Sequence, residues 1–309
     1  MGGYIFRRVL QAVPVLLGTT FLIYFMVFAM PGDPIVALFG DKTPSPQVLE
    51  AVRERYNLDK PFIVQYFIYL GGIFRGDFGI SFSGQAVSDI LVKTFPVTLR
   101  LAALAVFFEM VAGITIGLVS GLRKGKFFDA SALVVSLILI SLPIFVLAFT
   151  LQYLLGIKLG WFRATVSSGA PLQDLILPAI VLASISFAQI VRLTRSSVIE
   201  TSGQDFVRTA ASKGLSRRRI IPVHILRNSL IPVVTYLAVD FGTLMVGATV
   251  TEGIFNVPGV GRTLYQAILK GEGPTVVSFV TVMVLIYLVV NLLVDLFYAV
   301  LDPRIRYAK

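Results

Sequence analysis

Long unbroken apolar runs dominate the chain. Six windows, at roughly 9–30, 97–121, 132–156, 175–193, 229–250 and 276–301, are predominantly apolar. Each reaches the about 20 residues that an α-helix rising about 1.5 Å per residue needs to cross the hydrocarbon core of a bilayer. The pattern predicts an all-α polytopic membrane protein with six transmembrane helices. Residues 31–96, between the first two windows, form a long segment with its own order. In SPQVLEAVRERYNL, Ser45 stands at an N-cap and Pro46 at the first helical position, and Val48, Leu49, Val52 and Tyr56 recur at helical spacing. The next stretch, PFIVQYFIYLGGIF, is 14 residues long with paired glycines, which predicts an interfacial or re-entrant piece rather than a seventh span.

Within the spans, Pro14, Pro143, Pro178 and Pro232 each remove a backbone hydrogen bond and predict bends. Gly113 and Gly117, four apart, predict a close helix-packing face. No fixed-period repeat or low-complexity tract divides the chain, so residues 1–309 read as one transmembrane domain.

Composition agrees: 56% of residues are hydrophobic and 14% charged, against about a quarter charged in soluble domains. The absence of cysteine excludes disulfides and thiolate metal sites, and the single histidine, His224, leaves zinc or haem without a ligand set. No metal or cofactor is expected in this chain. Placing the N-terminus inside puts 16 of the 27 lysines and arginines in cytoplasmic segments. Outside, apart from the long 31–96 segment and the residues that follow it to 100, only four remain. Long loops cross largely regardless of charge, so both termini are expected in the cytoplasm. Arg7 and Arg8 before the first window resemble a signal peptide, but the apolar stretch is too long and VFAMPGD lacks a small-residue cleavage site, so an uncleaved anchor is expected.

The longest cytoplasmic connection, residues 194–228, holds a charged hairpin. Residues 205–213 suit a helix, with Asp205 near its positive end, Phe206 and Ala210 on one face and Lys213 near its negative end. Gly214 reads as the residue that ends it in a left-handed turn. Ser216 is placed to cap a second, basic helix beginning at Arg217, Arg218 and Arg219, which Pro222 should shorten or bend. Small side chains are expected exposed at Ala210 and Ala211. Attraction to anionic lipid needs only the arginines. Nucleic-acid binding needs stacking aromatics, and none lies between Arg208 and Arg227. A docking knob for a protein partner also accounts for the alanines and the glycine.

RTAASKGL (208–215) followed by HIL (224–226) resembles the cytoplasmic EAA loop of membrane permeases of bacterial ATP-binding-cassette importers, in the form typical of the peptide branch. The chain departs from the general motif at Arg208 and Thr209, and has Arg227 where other branches carry proline. RRVLQAVPVLLG, PGDP, YNLDKPFIVQY, GDFG, RLTRSSVIE, TEGIFNVPGVG and NLLVDLFYAVLDPRIRY extend the resemblance over nearly the whole chain, in the family's order. The resemblance implies a type I importer permease fold in the bacterial cytoplasmic (inner) membrane. The implied partners are a second permease, two ATPase subunits that bind ATP and Mg2+, an extracytoplasmic substrate-binding protein and the surrounding lipid. It further implies that Phe206, Arg208, Thr209, Ala210, Ala211, Lys213, Gly214 and Leu215 couple to an ATPase. Phe255, Pro258, Gly259 and Gly261 would shape a loop facing the binding protein. Cargo within such families includes dipeptides, oligopeptides, nickel and glutathione.

The chain has no nucleotide-binding loop of its own: Phe127 follows Gly125 and Lys126 where Ser or Thr is needed, and Ser120 replaces the first glycine. No catalytic residue is expected, since the lone histidine falls in the cytoplasmic loop, away from any intramembrane serine. Glu109 and Asp240 fall near mid-bilayer, where an ionisable group faces a cavity or a partner. They are candidates for lining the passage and meeting a peptide ammonium, against the alternative of carboxyls hydrogen-bonded to neighbouring helices. A proton-coupled secondary transporter would use the same two as relays. Asp295, close to Arg304 and Arg306, reads as structural.

Overall fold

The computed structural model describes residues 2–28 and 45–301. The motif PGDP (31–34), Arg304, Arg306 and the side chain of Asp295 lie outside what it describes. The described chain forms two compact units, Met1–Thr98 with Pro258–Lys309, and Leu99–Val257.

The first unit contains α1 (Gly2–Phe28), α2 (Pro46–Arg55), α3 (Phe62–Phe74), the start of α4 (Val87–Leu122), α11 (Val260–Leu269) and α12 (Gly273–Leu301). Pro46 and Phe62 begin α2 and α3 as the turn chemistry predicts, and α3 is too short to span. Its aromatic face explains its placement. Tyr66 exchanges a hydrogen bond with Thr20 at 3.0 Å and Tyr69 donates to Thr281 at 2.7 Å, which ties α3 to α1 and α12. Tyr24, Tyr66 and Val277 form the core there. A second cluster, of Val87, Leu91, Val260, Leu264 and Phe279, joins the start of α4 to α11 and α12.

The second unit contains the rest of α4, then α5 (Phe127–Ser141), α6 (Ile144–Leu151) continued by a π-helical turn (Gln152–Lys158), α7 (Leu172–Ser202), α8 (Asp205–Ser212), α9 (Arg217–Ile220), a π-helical segment (Ile221–Leu226) and α10 (Arg227–Phe255). Helix α7 is the hub, packing on α5, α6 and α10. Five described helices are long and apolar enough to cross a membrane, or six if α5 and α6 form one span.

The third expected span, 132–156, is not one straight helix. It breaks at Leu142–Pro143 with a bend of 103°. Leu142 is extended (φ −84°, ψ 127°), because a residue before proline is driven out of the helical region. Pro14, Pro178 and Pro232, by contrast, lie inside helices that run on through them.

Candidate functional site

Helix α7 stops at Gly203, and α8 turns back against it. Val207 and Ala210 point inward and pack with Val198 of α7 and with Ile220 and Ile225 beyond the turn, and Leu215 and Leu118 close the cluster. Asp205, Phe206, Arg208, Thr209, Ala211 and Lys213 point outward. Ala210 was expected exposed, yet it is 5% exposed. The larger Val207 sets the phase of the helix, and the residue three further on shares its face. Phe206 and Ala210 are therefore divided between surface and core: Phe206, 44% exposed, is the apolar side chain presented outward.

The turn after α8 satisfies its last carbonyls. Gly214 takes φ +80°, its amide donates to Ala211 O at 2.9 Å and the Leu215 amide to Ala210 O at 3.3 Å. This paired pattern with a partly buried apolar residue, Leu215, after the glycine is the Schellman closure. Ser216 occupies the N-cap of α9 in extended conformation, but its hydroxyl makes no capping bond. The second helix is short, as expected, with only four residues. Helix α9 passes through the π segment directly into α10. Pro222 lies in that segment, whose wider turn accommodates a residue without an amide hydrogen. Arg217, Arg218 and Arg219 are all exposed.

Above the hairpin, α4 and α7 touch almost backbone to backbone. A Cβ on Gly113, Gly117 or Gly121 would stand 2.7, 2.6 or 2.8 Å from Ile190, Thr194 or Val198, respectively. The expected Gly113–Gly117 face thus extends one turn further. Glu109 continues the same four-residue spacing and is fully buried, as is Asp240 of α10 to within 5%. The two carboxyls interact with each other, and Ser186 of α7 donates to Asp240 Oδ1 at 2.6 Å. Beyond that contact neither oxygen of Glu109, nor Asp240 Oδ2, has a protein hydrogen-bond partner. Glu109 also borders an apolar cavity of about 360 Å³ lined by Phe108, Ala112, Leu139, Leu147 and Phe187. Tyr236 of α10 also faces Asp240, and the unfilled oxygens leave the node able to accept further hydrogen bonds.

Near the end of α7 that leads into α8 stands a group that the sequence did not single out. Asp129 accepts from Ser120, from the Gly125 amide and, bidentately, from Arg195. Its one sequence signal is an acid at the opening of an apolar window, directly after RKGK.

The loop residues Phe255, Gly259 and Gly261 are buried and Pro258 is half-buried, so they shape the chain rather than present a surface. Phe255 O accepts from Val166 at 2.9 Å in the second unit. In the first unit, Gly259 precedes α11, and the Val260 amide donates to Thr98 Oγ1 at 2.8 Å. The large apolar side chains exposed on α11 are Tyr265, Ile268 and Leu269. Among the described residues no cluster of metal-ligating side chains occurs.

Residues 113–307 match the family described as binding-protein-dependent transport system inner membrane component, and residues 1–102 match the N-terminal family of the same membrane components. The chain is 37% identical to the dipeptide transport system permease protein DppB of Escherichia coli (strain K12), over 99% of both chains. It is 35% identical to the di/tripeptide transport system permease protein DppB of Pseudomonas aeruginosa (strain UCBPP-PA14) over the full length of each. A putative peptide transport system permease protein of Brucella abortus (strain 2308) is 37% identical, over 99% of this chain and 100% of that one.

Proposed function

Because the chain belongs to the family of binding-protein-dependent transport system inner membrane components, we propose that it is the permease subunit of an ATP-driven importer of di- or oligopeptides. The chain is a transport component and not itself a catalyst. It forms the passage with a second permease in the bacterial inner membrane, with both termini in the cytoplasm. It receives cargo from an extracytoplasmic binding protein and is driven by two ATPase subunits that hold ATP and Mg2+.

The observation that carries this is the geometry of α8. Its inner face is anchored by Val207, Ala210 and Leu215, its end is locked by Gly214, and Phe206, Arg208, Thr209 and Ala211 are exposed. A short helix held rigidly on one side and bare on the other suits insertion into a groove on an ATPase. Such a helix moves the passage only if it binds one ATPase state better than another. Shifting a gate from 1:99 to 99:1 takes about 5.5 kcal/mol of differential binding. Glu109 and Asp240 meet the cargo's ammonium when α4, α7 and α10 part.

The test is co-expression with the ATPases, second permease and binding protein, followed by co-purification and dipeptide uptake. Phe206→Glu combined with Arg208→Glu is expected to release the ATPases and abolish uptake. Retention of the ATPases with full uptake by that variant would overturn the proposal.

A further inference from the structure

The joint at the arginine-rich end of α7 binds three pieces of chain to one carboxylate. Asp129, in the first turn of α5, has a side chain 4% exposed. It accepts from the Ser120 hydroxyl of α4 at 2.5 Å and from the Gly125 amide in the turn between α4 and α5 at 2.8 Å. Arg195 of α7 completes it, with Nε at 2.5 Å and Nη2 at 2.8 Å. A two-pronged guanidinium–carboxylate fork fixes angle as well as distance, which a single ammonium does not. One turn further along α7, Val198 lies against Gly121 of α4, where an added Cβ would also come within 3.0 Å of Arg195 O. The end of α7 therefore cannot slide along α4 without breaking the fork and unseating the contact.

We propose that Asp129 and Arg195 are positioning residues that form a coupling joint: they carry movement of α8, through the end of α7, into α4 and α5. The proposal rests on α8 being the ATPase dock. A push on α8 enters α7 across Gly203. With the fork closed, α4, α5 and α7 move as one body, and the push reaches the Glu109 level. With it open, the last turns of α7 yield alone, and hydrolysis proceeds without moving cargo.

The experiment uses the complete importer in proteoliposomes and measures cargo moved per ATP hydrolysed. Asp129→Asn keeps the shape and loses the charge, and Arg195→Lys keeps the charge and loses the fork. Both are expected to assemble and to hydrolyse ATP within about twofold of the parent, while cargo per ATP falls at least about fivefold, the lower end of typical coupling between sites. Ser120→Ala, which leaves the fork intact, is expected to stay within about twofold on both measures. Unchanged cargo per ATP, or transport and hydrolysis falling in proportion, would overturn the joint. So would failure of both fork variants to assemble, which would make the network a folding element. A parallel arm lacking residues 205–212 separates the two ideas: ATPases that still co-purify with that chain remove α8 as the dock, whatever the fork variants show.

Discussion

Of the buried carboxylates in the second unit, Asp129 and Glu109 have opposite surroundings. Asp129 receives four hydrogen bonds, two of them from a guanidinium. Glu109 receives nothing from the protein except contact with another carboxyl. Buried acceptors in proteins are almost always satisfied, and each exception calls for an account. The saturated group has no capacity left for a visitor and every reason to hold its helices still. The unsaturated one meets only another carboxyl, and it stands at mid-span with acceptor capacity to spare. The glycine seam between α4 and α7, at 113, 117 and 121, follows Glu109 along α4 and ends one residue from Ser120, a partner of Asp129.

The comparison is tested most severely at Arg195. Arg195→Ala leaves the Asp129 carboxylate buried without its counter-charge, and breaking a buried pair from one side costs about 3–5 kcal/mol. The variant is expected to show a sharply lower unfolding midpoint in detergent, measured by intrinsic fluorescence. A midpoint equal to the parent's would mean that the four bonds around Asp129 carry no structural weight, and the contrast with Glu109 would collapse.

The seam between them is expected to be intermediate. At Gly117 an added methyl would stand 2.6 Å from Thr194 Cβ and 2.8 Å from the Val191 carbonyl, which is backbone and cannot turn aside. Gly117→Ala is therefore predicted to force the helices apart at about 1–3 kcal/mol. At Gly113 the close atoms are Ile190 Cγ2 and Cβ at 2.7 and 3.0 Å, with no backbone atom nearer than Phe187 O at 3.8 Å, so Gly113→Ala should cost less in the same unfolding assay. Equal losses at both positions would show that α4 and α7 adjust as rigid rods rather than through side chains.

Much of this was legible in the sequence because it depends on local rules. Apolar run length located the spans, and glycine at 214 marked the end of α8, since only the local backbone decides both. The left-handed turn and the paired amide bonds followed without tertiary information. Ala210 was misplaced for the converse reason: helical spacing gives a period but not a phase, and the phase came from Val207 meeting Val198 and Ile225 far along the chain. Asp129 and Arg195 are 66 positions apart, and nothing local pairs them. Pro143 was recognised as a disruption, but whether a proline bends or breaks a span depends on packing, since Pro178 sits inside α7 without ending it.

The mildest effect on stability is expected at Glu109, where it is most informative. Glu109→Gln keeps the shape of the side chain and a group able to hydrogen-bond Asp240, which Glu109 already meets. A neutral hydrogen bond contributes only about 1 kcal/mol net, so the variant should unfold close to the parent's midpoint. Asp240→Asn likewise keeps an acceptor for Ser186. Importers carrying both changes are expected to assemble normally, retain ATP hydrolysis and take up dipeptide at least about fivefold more slowly, the lower end of typical coupling between sites. Normal uptake would make the pair a tolerated irregularity of the helix interface and remove it from the passage. A large loss of stability would be worse for the comparison, because it would show that Glu109 holds its helices as Asp129 does, through partners beyond those the chain provides.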